Sequence, residues 1–199
     1  MAEDADQADR SAKPDSAQLM SENMKKNVRS FGGPEWFWSP VAAALTTLLI
    51  GGVALVAGQP WLFPSLGPSI YLHMHKPNLE SARLYNTVVG HATGVAAGAV
   101  GVLLTGASQD PSVLSSQTMA LSRVGASAIA MGVCLFIQQL LKASHPPAAA
   151  TALLIALGGF KLIPSDILAI AVGVGLIALV GEPLRRARVG ILFGGKRNQ

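Results

Sequence analysis

Charge is what this chain has least of. Only 13% of its 199 residues are charged, aromatics make up 6%, and there is a single cysteine. From Trp36 to Gly181 the only acids are Glu80, Asp110 and Asp166, and the only bases Lys76, Arg83, Arg123, Lys142 and Lys161. So long a stretch with so little charge excludes a soluble domain. Cys134 stands alone inside an apolar run, which excludes an intrachain disulfide framework. The formal charge of +4 comes from the two ends, and no basic stretch interleaved with aromatics points to nucleic acid. There is no nucleophile elbow, no Walker loop, no paired carboxylates and no thiol–imidazole pair in a sensible context, so the chain does not read as an enzyme or as a cofactor protein. His73 and His75 flank Met74 without a cysteine or carboxylate cluster beside them. They read as interfacial residues rather than metal ligands.

What is present is apolar: half of the chain is hydrophobic. Long runs cover about 40–58, 86–105, 120–141 and 167–180, and the first three are long enough to span roughly 30 Å of hydrocarbon. Two shorter pieces broken by prolines, 61–74 and 145–160, lie between them. The expectation is an all-α integral membrane bundle of four long transmembrane helices plus two short proline-broken membrane helices. Residues 1–33 read as an acidic, disordered cytoplasmic tail without the pattern of a signal or transit peptide. A transmembrane domain is expected over 34–184, followed by a basic cytoplasmic tail over 185–199.

Charge placement chooses between four crossings and six. Lys25, Lys26 and Arg29 before the first run, and Arg185, Arg186, Arg188, Lys196 and Arg197 after the last, put both ends on the cytoplasmic side. With six crossings the 75–83 loop and Lys142 also fall inside, leaving only Arg123 and Lys161 near the outer side, and six is favoured. Each half then reads long span, short broken segment, long span, with repeats over 36–106 and 118–182 running in opposite directions. Pro64 aligns with Pro146 and Ser69 with Thr151. Paired short segments interrupted by glycine or proline point to the binding site of a transporter.

The centre of the chain is Ser144-His145-Pro146-Pro147-Ala148-Ala149-Ala150-Thr151. Its prolines stop the arriving helix near Ala143 and start a new one, with Ser144 or His145 as cap, running to about Gly158. Irregular backbone in lipid survives only if buried in protein or lining a wet cavity. This block resembles the signature of the HPP family of integral membrane proteins. Phe63-Pro64-Ser65-Leu66-Gly67-Pro68-Ser69 and the Asn86…Gly90-His91 run are similar to that family's other blocks, over about residues 36–184. The family would place a basic residue beside Asn86; here Arg83 stands three positions earlier. Plastid and cyanobacterial members are associated with nitrite transport, so the resemblance implies nitrite as the leading cargo.

The residues themselves suggest how a small inorganic anion is held. Helices starting at Pro146 and near Pro68, with Gly67 as cap, would turn the positive ends of their dipoles towards a common midplane site. Ser65, Ser69 and Thr151 offer hydroxyls, while Gly67 and the alanines leave room for close backbone approach. His145 adds charge when protonated, its unperturbed pKa lying near 6.5, or it merely caps the helix. His91 stands beside a Gly90, Gly94, Gly98 row that reads as a packing face, and lines the path or bonds across helices. Asn86 caps a helix or meets substrate. Asp166 reads as the cap of the last helix, Gln138 and Gln139 as helix bridges or, less often, path lining, and Arg123 near the outer mouth as attracting anions or, more commonly, snorkelling to headgroups. The candidate pathway is therefore Pro64, Ser65, Gly67, Pro68, Ser69, Asn86, His91, His145, Pro146, Pro147 and Thr151, with no metal. The expected setting is a bacterial-type inner membrane, the partners a small anion, the lipid bilayer and a second copy in a homo-oligomer. The alternative is a non-transporting scaffold or sensor.

Overall fold

The computed structural model describes residues 33–190. The acidic segment expected as a tail and the basic residues beyond 190 lie outside them. Helix α1 spans Glu35–Ala57, α2 Leu66–His75, α3 Leu84–Thr105, α4 Val113–Ser116, α5 Leu121–Leu140, α6 Pro147–Ala156 and α7 Pro164–Leu176. A π-helical turn at Ile177–Gly181 joins α7 to α8, Glu182–Arg188, so one rod runs from 164 to 188. There is no strand among the described residues. Among the described residues four helices are long and apolar enough to cross a membrane: α1, α3, α5 and the α7–α8 rod. Helix α1 carries Glu35 in its first turn, at the positive end of its dipole. It stops at Gly58, whose φ of 62° is one that L side chains rarely adopt. Outward-facing Leu45, Leu48, Leu55, Leu103, Leu104, Phe136 and Leu179 give the bundle an apolar surface suited to lipid.

Long-range contacts fix which ends share a face. Ser39 Oγ donates to Met74 O at 3.2 Å, Arg188 Nη2 pairs with Glu35 Oε2 at 2.7 Å, and Arg185 Nη1 donates to Pro77 O at 2.8 Å. Tyr85 OH donates to Leu141 O at 2.9 Å. These bonds gather the start of α1, the 76–83 connection, the end of α5 and the end of α8 on one face, here called the basic face. At the opposite face, Val113 N donates to Leu157 O at 2.9 Å and the rings of Phe63 and Phe160 meet edge-on at 5.4 Å. The chain therefore passes through the bundle six times, with α2 and α6 as two of the passes.

The two halves, α1–α2–α3 and α5–α6–α7/α8, run in opposite directions and pack reciprocally. Helix α3 of the first half lies along α6 of the second: a Cβ on Gly90 would fall 2.5 Å from His145 Cβ, and one on Gly98 2.8 Å from Ile155 Cβ. The rod of the second half lies along α2 of the first in the same register. A Cβ on Gly173 would fall 2.6 Å from the Phe63 ring and one on Gly181 2.7 Å from His73 Nδ1. His145 and Phe63 each stand just before the aligned prolines 146 and 64. The turns opening both short helices also match. Leu66 N and Gly67 N donate to Phe63 O and Pro64 O at 3.0 and 3.2 Å, as Ala148 N and Ala149 N donate to His145 O and Pro146 O at 2.9 and 3.1 Å. Finally, Ser39 of α1 bonds the last turn of α2 as Arg123 of α5 bonds that of α6.

Several local expectations change. Helix α2 begins at Leu66 with Ser65 as cap, not at Pro68 with Gly67, because Pro68 is tolerated in a first turn where no N–H bond is owed. Helix α6 begins at Pro147 with Pro146 as cap rather than Ser144 or His145, and ends at Ala156, short of Gly158. Asn86 and Asp166 are each the third residue of a helix, not its cap. Asp166 instead reaches back to accept from Lys161 N at 2.7 Å. Helix α8 runs past 184, so Arg185, Arg186 and Arg188 belong to the bundle, the first and last of them buried.

The close glycine contacts make a test of the packing. Gly94→Val, whose Cβ would sit 2.4 Å from Ala148 O, should cost about 2–3 kcal/mol. Gly175→Ala, with nothing within 4 Å of its Cβ, should be neutral or slightly stabilising. Thermal melts of the detergent-purified protein compare them, and equal melting points would contradict the packing described.

Candidate functional site

Two breaks in the helical ladder put polar groups at the middle of the bundle. Ser65 and Ser69 lie on one face of α2, four residues apart; Thr151 lies one turn into α6, and His145 just before it. Helix α3 supplies His91 from between Gly90 and Gly94, where the absence of side chains lets α6 approach. Ser69 Oγ lies 2.9 Å from His91 Nε2 and 3.0 Å from His145 Nε2. His91 Nδ1 lies 2.7 Å from Thr151 Oγ1, which lies 2.8 Å from Ser65 Oγ. His145 Nδ1 lies 2.7 Å from Ser81 O, and His145 N donates to Gln138 Oε1 at 2.7 Å. The aligned residues Ser69 and Thr151 thus grip opposite nitrogens of one imidazole.

A single carbonyl orders this network. Ser81 O can only accept, so His145 Nδ1 carries the proton. With neutral imidazoles, His145 Nε2 then accepts from the Ser69 hydroxyl. Ser69 Oγ must accept from His91 Nε2–H, His91 Nδ1 accepts from the Thr151 hydroxyl, and Thr151 accepts from Ser65. Every donor points towards Ser81. A second proton on His145 would allow the bonds from its Nε2 through Ser69, His91 and Thr151 to Ser65 to reverse, while Nδ1 still donates to Ser81 O. The network is therefore a continuous path for proton rearrangement as well as a clamp between α2, α3 and α6.

The site is closed. Ser65, Ser69, His91, His145 and Thr151 are each 0–1% exposed, so no water-sized space adjoins them. Pro147 and Asn86 are also buried, and Asn86 Nδ2 donates to Ser144 O at 3.0 Å, holding the break before α6 to α3. Pro64, Gly67, Pro68 and Pro146 face outwards, away from the cluster, and nothing lies within 4 Å of a Cβ on Gly67. The expectation of open N–H groups at two helix starts changes here. The first N–H groups of α2 and α6 bond carbonyls of the turns that precede them, leaving hydroxyls and imidazoles as the groups that converge.

Sequence reasoning missed the burial of His73 and of Arg123, while Gln138 bridges helices as expected. His73, expected at the interface, is fully buried one turn beyond Ser69 on the same face of α2, with Nε2 3.1 Å from Thr87 Oγ1. Its place four residues after Ser69 was the available signal. His75 goes elsewhere, 3.3 Å from Glu35 Oε1. Gln138 reaches past its own helix end to the His145 backbone, and Arg123 is buried instead of snorkelling.

Fold and site together define the class: an all-helical integral membrane protein whose oppositely directed halves cross at paired broken helices. The chain belongs to the HPP family, whose model, described as HPP, transmembrane region, matches residues 29–189. Neither the curated proteins nor the solved structures contain a match to it.

The double grip on His91 sets its energetic weight. His91→Ala removes two hydrogen bonds and leaves a cavity, and should cost about 3 kcal/mol. Ser65→Ala, which removes one bond at the end of the chain, should cost about 0.6 kcal/mol, typical of interhelical bonds in membranes. Unfolding of the two purified variants decides it; similar losses would mean His91 is not the joint of the network.

Proposed function

We propose that this protein moves a small inorganic anion across the membrane, with nitrite the leading cargo on the family resemblance. One observation carries the reading: hydroxyls from two oppositely running broken helices converge on a single imidazole at the centre of an inverted repeat. Paired broken segments of this kind mark transporter binding sites, and ionisable groups within membranes are costly enough to imply use. Passage requires α2 and α6 to part, so that Ser65, Ser69 and Thr151 turn their hydroxyl protons from Thr151, His145 and His91 to the anion. A bare anion in this apolar core would be heavily penalised. Taking up a proton on His145 together with the anion removes most of that cost and reverses the donor chain. Transport is thus coupled to a proton moving in the same direction. Pro64, Gly67, Pro68 and Pro146 act as the flexing rims of the breaks rather than as ligands, and Asn86 and Pro147 hold the second break in place.

The basic face carries Lys76, Arg83, Lys142, Arg185, Arg186 and Arg188, against Arg123 and Lys161 at the other, which supports a cytoplasmic placement of both ends in a bacterial-type inner membrane. The outward apolar side chains suit lipid and a second copy of the chain. A second reading, a non-transporting scaffold or sensor, is favoured by the complete burial of the cluster.

Flux into proteoliposomes of nitrite, nitrate, formate and chloride, with internal pH recorded, separates the two. Transport predicts selective nitrite uptake accompanied by internal acidification and accelerated by an acidic exterior. Ser69→Ala and Thr151→Val, which nearly keep packing volume, should each lower uptake about tenfold, the weight of one hydrogen bond to a charged group. Absence of flux from folded protein would leave the scaffold reading standing.

A further inference from the structure

Arg123 has the least usual surroundings of any charged residue in the fold. A guanidinium in a membrane helix ordinarily snorkels to headgroups or pairs with a carboxylate. This one is 4% exposed, and among the described residues it forms no ion pair with any carboxylate. Its Nη1 donates to Ala156 O at 3.0 Å and its Nη2 to Asp110 O at 2.8 Å, both neutral carbonyls, while its buried Nε–H has no acceptor. Gly158, at φ 81°, lets the chain after α6 pass so close that a Cβ there would lie 2.8 Å from Nη2. The fork is thus fixed by backbone on both sides with its charge left uncompensated.

Arg123 forms part of the wall of a cavity of about 510 Å³ at the opposite face, together with Asp110, Ser112 and Lys161. The Asp110 carboxylate is engaged by the Ser122 hydroxyl, and Asp166 holds the Lys161 backbone N–H. Two cations against the one carboxylate in the wall leave the cavity net positive. Its buried apolar side is Val102, Ile155 and Phe160. Ile155 presses on Gly98 and stands one turn beyond Thr151, on the same face of α6. The cavity therefore ends one helical turn short of the hydroxyl–imidazole network.

We propose that this cavity is a vestibule that binds a small oxyanion on Arg123 and Lys161 before the path to Thr151 opens. Binding there stands on the cavity itself; the onward step, with Ile155 withdrawing from Gly98, rests on the transport reading above. A lipid phosphodiester presents the same oxygens, so the test separates the two sources. Ser112→Cys is introduced into the full-length protein, with the unsubstituted protein, whose Cys134 is buried, as background. Labelling rates are compared for anionic and cationic methanethiosulfonate reagents, first in uncharged detergent and then in bilayer discs with and without phosphatidylglycerol. The anionic reagent should react about tenfold faster, the size of effect a charged cleft produces. Nitrite should slow it in all three settings, and Arg123→Gln should bring the two reagents together. Since Arg123 also closes the end of α6, Lys161→Gln, an exposed position, gives the same comparison if the first variant fails to fold.

Equal rates for both reagents with no protection by nitrite would overturn the vestibule. Blockage by phosphatidylglycerol alone, unchanged by nitrite, would assign the cavity to a headgroup and overturn it as well. Nitrite flux alongside unprotected labelling would remove the vestibule and spare the transport reading. Protected labelling without flux would keep the vestibule as a binding site and remove transport.

Discussion

Lipid does not solvate a broken helix, and the rest of this structure follows from that. Each interruption leaves amides and carbonyls without partners in their own ladder, and each unsatisfied group in hydrocarbon costs several kcal/mol. The chain answers with side chains drawn from neighbouring helices. Gln138 accepts the His145 amide, Asn86 bonds Ser144 O, His145 bonds Ser81 O, and Arg123 bonds Ala156 O. On the other half Ser39 bonds Met74 O and Arg185 bonds Pro77 O. The polar residues of an otherwise apolar chain are therefore spent largely at the ends of α2 and α6.

The inverted arrangement explains why those polar groups meet. Two short helices that run in opposite directions, each wedged against a glycine row of the other half, bring their first turns side by side. Ser69 and Thr151 then become equivalent positions facing a common centre. His91 fills that centre from α3, the helix that packs along both α5 and α6. Glycine at 90 and 94 allows this, since a larger residue at either would push α6 away and break the grip. Packing and chemistry share one requirement, and the network closes only when both halves are seated.

The charged groups divide between the two faces by kind of partner. At the basic face, Glu35 and Glu182 are ion-paired with Arg188, Arg185 and Arg186 at 2.6–2.7 Å, tying the first helix to the last and bracing the end of the rod. At the opposite face Arg123 is held by carbonyls alone. A paired cation is spoken for, whereas a cation fixed by dipoles keeps most of its attraction for an anion. The two sides of the protein are thus electrostatically different even though their backbone plan is repeated.

Much of the fold could be read from residue order. Apolar runs set the long helices to within about two residues at most ends, the prolines located both breaks, and the turns at Pro64 and Pro146 share one hydrogen-bond pattern. Which residues form the site was only half visible. Ser65, Ser69, His91, His145 and Thr151 were all candidates, yet nothing local distinguished them from Gly67, Pro68 or Pro146, which face outwards. A side chain's direction depends on where its helix starts, and α2 starts two residues earlier than the Gly-Pro pair implied. His73 reads as interfacial for want of ligand-type neighbours and Arg123 as snorkelling because charge in lipid is costly, and only the neighbouring helices show that both are buried. The sequence by itself determined the class, the breaks and the chemistry available, because hydrophobicity and proline act locally. Tertiary structure alone decided the hydrogen-bond partners, the closure of the centre and the isolation of Arg123, because these depend on which helices lie side by side.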